Sequence, residues 1–482
     1  MKDVNVSMYS VPPYAYCHFF DLDDLLTLAK TNRYFINCLL PIASPEIASD
    51  KLDISMKWIK SFPKARLTVC LKRDLKIYDF KKLVNITSLN LIDRTIDKEI
   101  KTLSYLTRLE TLSLTARGYP DLCQNSDLYP LTQLKNLSLF SDNFLLGATL
   151  RKFGNLRHVC LDKNMIIKAE DLEYLRETLT SLSLNNNTTV DPLVLTKLKL
   201  LSLSIEINKV VKHEILVRCT TLKNLSISND TNLNGKCFRA LSCLEKLTIS
   251  YYLYDGKKFD FGSINFPTSL SELIILNAYD RTKMNSLSLL TSLKKLSIYA
   301  TDSCYFHSHI IEDLELAPLV NLTDLTISSD KIKGDCFMYL TQLTDLNIDG
   351  KELIYSKFKY LKKLKYLELG LAAKRQDINI TELPALVSLE IKCSFVSIIS
   401  GINTNLQSLA IYSDGLINDN LITKLVGLRE LVLYRHGITI RCLLSLPALV
   451  FVRLTPIQIF KQKKEKKALV ILRKNGVTYQ DY

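Results

Sequence analysis

Leu109-Glu110-Thr111-Leu112-Ser113-Leu114 and Leu134-Lys135-Asn136-Leu137-Ser138-Leu139 are two copies of one wording, L-x-x-L-x-L, and that wording decides the fold. Further copies are Leu222-x-x-Leu225-x-Ile227, Leu322-x-x-Leu325-x-Ile327 and Leu428-x-x-Leu431-x-Leu433, with Ile or Val accepted at the apolar places. The middle apolar residues run Leu89, Leu112, Leu137, Val159, Leu182, Leu201, Leu225, Leu247 and onward to Leu431 and Val452. These seventeen copies recur with a mean period of about 22.7 residues, a spacing that fits one short strand and one return segment per copy. A single copy cannot cover its own leucines, so copies must stack against one another.

Period and wording together resemble those of leucine-rich-repeat proteins. The resemblance implies an α/β leucine-rich-repeat solenoid, a curved horseshoe with a parallel concave sheet that presents a long binding surface. Return segments carry helical spacing: Lys168–Leu179 places Leu172, Leu175 and Leu179 on one side. Two returns nearly copy each other, Leu233-Asn-Gly-Lys-Cys-Phe238 and Ile332-Lys-Gly-Asp-Cys-Phe337, which points to duplication. Longer steps near 250–273 and 296–325 are expected to bulge as loops. An Asn after the strand, able to bond the next coil, stands at Asn164 and Asn187 but not at Arg94, Tyr252, Thr301 or His436. The expected organisation is a helical segment over 1–60, the solenoid over 61–455 with a first, weaker strand at Arg66–Leu71, and a cap over 456–482. In that cap, Glu465–Thr478 reads as an amphipathic helix, a Gly stop and a final strand.

Composition is ordinary for a folded chain of 482 residues, 47% apolar and 23% charged. No run approaches the roughly eighteen apolar residues of a membrane span, and the first residues do not read as a secretory signal. The twelve cysteines stand singly and read as reduced core residues of a cytoplasmic protein, with Cys237 and Cys336 at matching places. Net charge is +14, yet only Lys461–Lys467 is densely basic, so a solvated surface is expected rather than a nucleic-acid or membrane partner. A nuclear-import signal is the alternative reading of that lysine run.

Residues 1–60 break the repeat. Phe20, Asp21, Leu22, Asp24, Leu25, Leu26, Leu28, Asn32, Arg33 and Phe35 resemble the second half of an F-box. Asp21 would cap the first helix, Asn32 would end it, and Tyr34–Leu39 would form a second. The nearest match to the family's opening Leu-Pro is Val11-Pro12, followed by Pro13, which leaves the first F-box helix about three residues short. The resemblance implies docking of Val11, Pro12, Leu22, Leu25, Leu28 and Phe35 on the Skp1 adaptor of a cullin-type ubiquitin ligase, with the repeats holding an unknown substrate. A plain helical cap for the stack is the other reading of the same residues.

In each copy the residues flanking the second leucine and following the third face outward. Eight of the seventeen residues just after that leucine are Ser or Thr, so most of the face is small and neutral. Its last third differs: Asp324, Asp345, Asp349, Glu368, Glu390 and Glu430 fall outward, with Tyr366, Tyr412 and Tyr434. One continuous acidic and aromatic patch is expected, suited to a basic protein partner. No nucleotide-binding or nucleophile motif is present, and Cys304-x-x-His307-x-His309 lacks a fourth ligand. A non-catalytic, cofactor-free chain, monomeric apart from its partners, is expected: a ligase substrate-recognition subunit or a freestanding scaffold, regulator or host-directed effector.

Overall fold

Alternation of apolar and polar residues in L-x-x-L-x-L dictates a short strand with one face buried. Recurrence of that strand without a hairpin turn dictates parallel pairing through a return segment. The structure, a computed structural model, describes residues 22–31, 33, 35–41, 43, 46–48, 66–70, 84–93, 100–116, 125–140, 145–228, 233, 235–251, 264–276, 286–299, 311–370, 376–392, 396–401, 403–412, 418–434, 438–454 and 463–481. The chain divides into two compact units, Met1–Asn232 and Leu233–Tyr482.

In the first unit, parallel strands begin at Glu46–Ala48 and Arg66–Cys70 and end at Asn224–Ser228. Leu89, Leu112, Leu137, Val159, Leu182, Leu203 and Leu225 follow one another in register. One expectation is corrected here. The stretch Leu198-Lys-Leu200-Leu201-Ser-Leu203-Ser-Ile205 fits the motif twice, starting at Leu198 or at Leu200. The structure takes the second reading: Leu200, Leu203 and Ile205 are buried, whereas Leu201 is 42% exposed. Leu203 therefore replaces Leu201 as the middle residue, and Ser204 replaces Ser202 on the face.

Polar side chains bind these coils edge to edge. Asn164, Asn187 and Asn208 are buried at successive copies. The Asn187 amide donates to the carbonyls of Leu161 and Asn164 at 3.0 and 2.8 Å, while its oxygen accepts from the N–H groups of Thr189 and Val190. Asn208 repeats the arrangement toward Leu184 and Asn187. The residues just before the three, Lys163, Asn186 and Ile207, sit at φ 59°, 52° and 54°. For β-branched Ile207 this left-handed backbone is strained, and the flanking hydrogen bonds hold it there.

In the second unit, strands run in parallel from Lys246–Ser250 to Phe451–Leu454. Their register joins Leu247, Leu273, Leu296, Leu325, Leu346, Leu367, Leu389, Leu409, Leu431 and Val452, all buried. The returns are mostly short 3-10 or α turns rather than full helices, because about twenty residues per copy leave little room beyond the strand and its connections. A further parallel pair, Gln376–Asn379 with Val396–Ser400, forms a separate two-stranded sheet. The two duplicated returns also match in structure. Gly235 and Gly334 take positive φ, Cys237 and Cys336 are buried, and Phe238 and Phe337 stack on Phe266 and Phe358. Burial pushes the Cys237 thiol up to about 12 and raises Cys336 further, beside the Asp313 carboxylate.

Helix Lys463–Lys474, Gly476 at φ 85° and strand Thr478–Asp481 occupy the segment read as helix, stop and strand, and the strand pairs with Phe451–Leu454. The long steps at 252–263 and 300–310, with Cys304, His307 and His309, lie outside the described residues.

Candidate functional site

Outward strand positions of the second unit gather the acidic residues into rows. Asp324 pairs with Asp345, and Asp345 with Tyr366, just before the middle leucine. Just after it, Asn347 pairs with Glu368, and Glu368 with Glu390. Neighbouring strands lie about 4.8 Å apart, so these side chains stand side by side. Asp324, Asp345, Tyr366, Glu368 and Glu390 line one cleft of about 370 Å³, with Lys295, Thr326, Asn347 and Ser388.

The acids are held in different ways. Thr323 and Thr344 each donate a hydroxyl hydrogen bond of 2.6 Å to the neighbouring Asp324 or Asp345 carboxylate, fixing the rotamer without adding charge. Glu368 and Glu390 share Lys392, whose ammonium bridges both. Burial alone would lower the pKa of Lys392, but the Glu368 hydrogen bond and the two carboxylate charges outweigh it and raise it. Lys295 stands in register with Asp324. Four carboxylates against two lysines leave the cleft with an excess of two negative charges. Tyr366 is 49% exposed, an aromatic surface open to a partner.

The remaining expected residues lie outside this cleft. Asp349 lies on the Asp345–Asp349 strand, with its carboxylate over Gly370; a Cβ there would come within 1.1 Å of Asp349 Oδ1, so only glycine leaves the room. The row after the middle leucine then passes from Glu390 to Ala410 and Val432, which carry no charge. Tyr412 follows the strand of Ala410, Glu430 opens and Tyr434 follows that of Val432, and Glu430 accepts from the Ser408 hydroxyl at 3.3 Å. Lys295 and Lys392 were not among the expected site residues. Both occupy outward positions that the same periodicity marks, so reading those positions for cations as well as acids finds them.

The first unit uses a neighbouring column, the outward residue after the third apolar position, differently. Asp162 accepts from the Ser183 hydroxyl at 2.6 Å and from the Asn185 N–H and side-chain amide. Asn185 in turn accepts from the Ser204 hydroxyl and the Glu206 N–H, and Glu206 from the Ser226 hydroxyl. This ladder ties each copy's side-chain oxygen to the next strand.

Of the N-terminal candidates, helix Leu22–Thr31 carries Leu22, Leu25 and Leu28, and the turn Phe35–Leu39 carries Phe35. Leu25 is fully buried and Leu28 half-buried. Val11 and Pro12 lie outside the described residues. Strand Glu46–Ala48, within the segment read as helical, pairs with Arg66–Cys70. Among the described residues no group of three or more His, Cys, Asp or Glu could hold a metal ion, and no helix is long and apolar enough to cross a membrane.

No family model and no curated protein matches the chain. Similar solved structures include a leucine-rich-repeat protein of Leptospira interrogans, 19% identical, with a TM-score of 0.42, covering 90% of this chain and 99% of the other. An internalin of Listeria monocytogenes is 20% identical, with a TM-score of 0.32, covering 75% and 84%. A plant peptide hormone receptor in complex with its peptide is 18% identical, with a TM-score of 0.40, covering 77% and 64%. Scores this low add nothing to what the ladder itself displays: L-x-x-L-x-L strands, parallel, in register, one per copy, with returns behind. The fold is a leucine-rich-repeat solenoid. Its repeats set the acidic rows, because in-register stacking converts identical motif positions into columns on the face.

Proposed function

We propose that this leucine-rich-repeat chain is a non-catalytic protein-binding module whose partner presents a basic segment to the cleft at Asp324, Asp345, Tyr366, Glu368 and Glu390. The observation that supports this reading is the pair of in-register acidic rows, which Lys295 and Lys392 neutralise only in part. Stacked carboxylates repel one another and cost stability unless a cation meets them. Tyr366 supplies rigid contact area beside them and a ring face for an arginine or lysine. A labelled peptide alternating Arg and Ser serves as the probe. Anisotropy titration is expected to show salt-dependent binding that Asp324→Lys with Asp345→Lys abolishes; unchanged affinity places the site elsewhere.

A narrower reading makes the chain the substrate-recognition subunit of a cullin-type ubiquitin ligase in the cytoplasm. Helix Leu22–Thr31 followed by the Phe35–Leu39 turn supports it, while the burial of Leu25 counts against direct docking through that residue. A pull-down with purified Skp1, comparing wild type with Leu22→Ala/Leu28→Ala, tests it. Wild type that captures no Skp1 leaves a freestanding scaffold or regulator.

A further inference from the structure

Helix Lys463–Lys474 packs against the 3-10 turn Ile440–Ser445, with Ala468 and Leu472 buried. At about 100° per residue, Lys467, Arg473 and Lys474 fall on the opposite half of the helix. Between the cations stand two aliphatic side chains in the open, Val470 at 53% and Ile471 at 45% exposure. Lys467, Lys474 and Arg473 are exposed as well, Arg473 lying 6.0 Å over the Tyr479 ring.

We propose that this outer helix face docks peripherally on an anionic phospholipid bilayer. The charge calls for an anionic surface, and the two exposed aliphatic residues select among such surfaces. A nucleic-acid backbone takes the cations but leaves Val470 and Ile471 without a partner. A bilayer interface takes both at once: lysines and arginine meet the headgroups while the aliphatic side chains enter the acyl boundary. The sequence reading, which expects no membrane partner, turns on apolar spans, and a helix lying in the interface needs none. Two aliphatic anchors make the contact weak, reversible and sensitive to salt. The proposal concerns another element than the acidic cleft and does not depend on it.

Flotation of the full-length protein with phosphatidylcholine vesicles, with and without phosphatidylserine, tests the proposal. Binding is expected only with phosphatidylserine. Lys467→Glu/Lys474→Glu should weaken it about tenfold or more. Val470→Ser/Ile471→Ser should weaken it at least about threefold and leave the thermal melt unchanged. Equal binding to both vesicle types, binding to neither, or wild-type binding by Val470→Ser/Ile471→Ser overturns the proposal. Binding of duplex RNA that ignores the aliphatic pair, with no vesicle binding, reassigns the face to nucleic acid.

Discussion

Two sets of columns on the strand face, the one after the third apolar residue in the first unit and the two flanking the middle leucine in the second, do opposite things with their carboxylates. Around Asp162, Asn185 and Glu206, the side-chain oxygens meet serine hydroxyls, backbone N–H groups and the Asn185 amide of the next copy. At Asp324–Asp345 and at Glu368–Glu390 the next copy brings another acid, and the cations that answer, Lys295 and Lys392, are too few. An acidic residue on a repeat face is therefore structural or available according to what stands one strand away. Serine in the neighbouring column closes the ladder, whereas a second carboxylate leaves charge for a partner.

Register decides which residues stand in these columns, so the largest expected effect concerns Leu203. Leu203→Ala should lower unfolding stability by about 3 kcal/mol, whereas Leu201→Ala should change it by under about 0.5 kcal/mol, both read from urea denaturation. Equal losses would return the strand to the Leu198 reading and move Ser204 off the face. Next in size is Asn185→Ala, which strands the Ser204 hydroxyl and the Glu206 N–H. A loss of about 2 kcal/mol with unchanged binding of the basic peptide is expected; weakened binding at unchanged stability would turn the ladder into a recognition surface. Smallest is Lys392→Gln, which releases Glu368 and Glu390. Affinity for the same peptide should rise about threefold at low salt and converge with wild type at high salt. A fall in affinity would mean that Lys392 contacts the partner rather than screening the acids.

Most of the architecture was legible because the leucines carry it. Leu112, Leu137, Leu325 and Leu431 fall where the period places them, each buried and in register with its neighbours. Leu201 and Leu203 were ambiguous since both satisfy the same wording, and only the pairing to Leu182 and Leu225 separates them. The acids of the cleft were legible for the same periodic reason. Their neutralisation was only half legible: the periodicity marks the outward place of Lys392, but its reach to Glu368 of the adjacent copy, 24 residues away, is a matter of side-chain rotamer. The end of the charged column at Ala410 follows from aligning the strands one by one.

The most direct test of the account neutralises the two faces in parallel without altering their shape. Asp324→Asn/Asp345→Asn and Asp162→Asn/Glu206→Gln are compared by anisotropy titration with the alternating Arg–Ser peptide, each protein first verified by its denaturation midpoint. The account predicts that the first pair loses most of the binding and that the second binds as wild type. Equal losses from both pairs, or a loss confined to Asp162→Asn/Glu206→Gln, would contradict it.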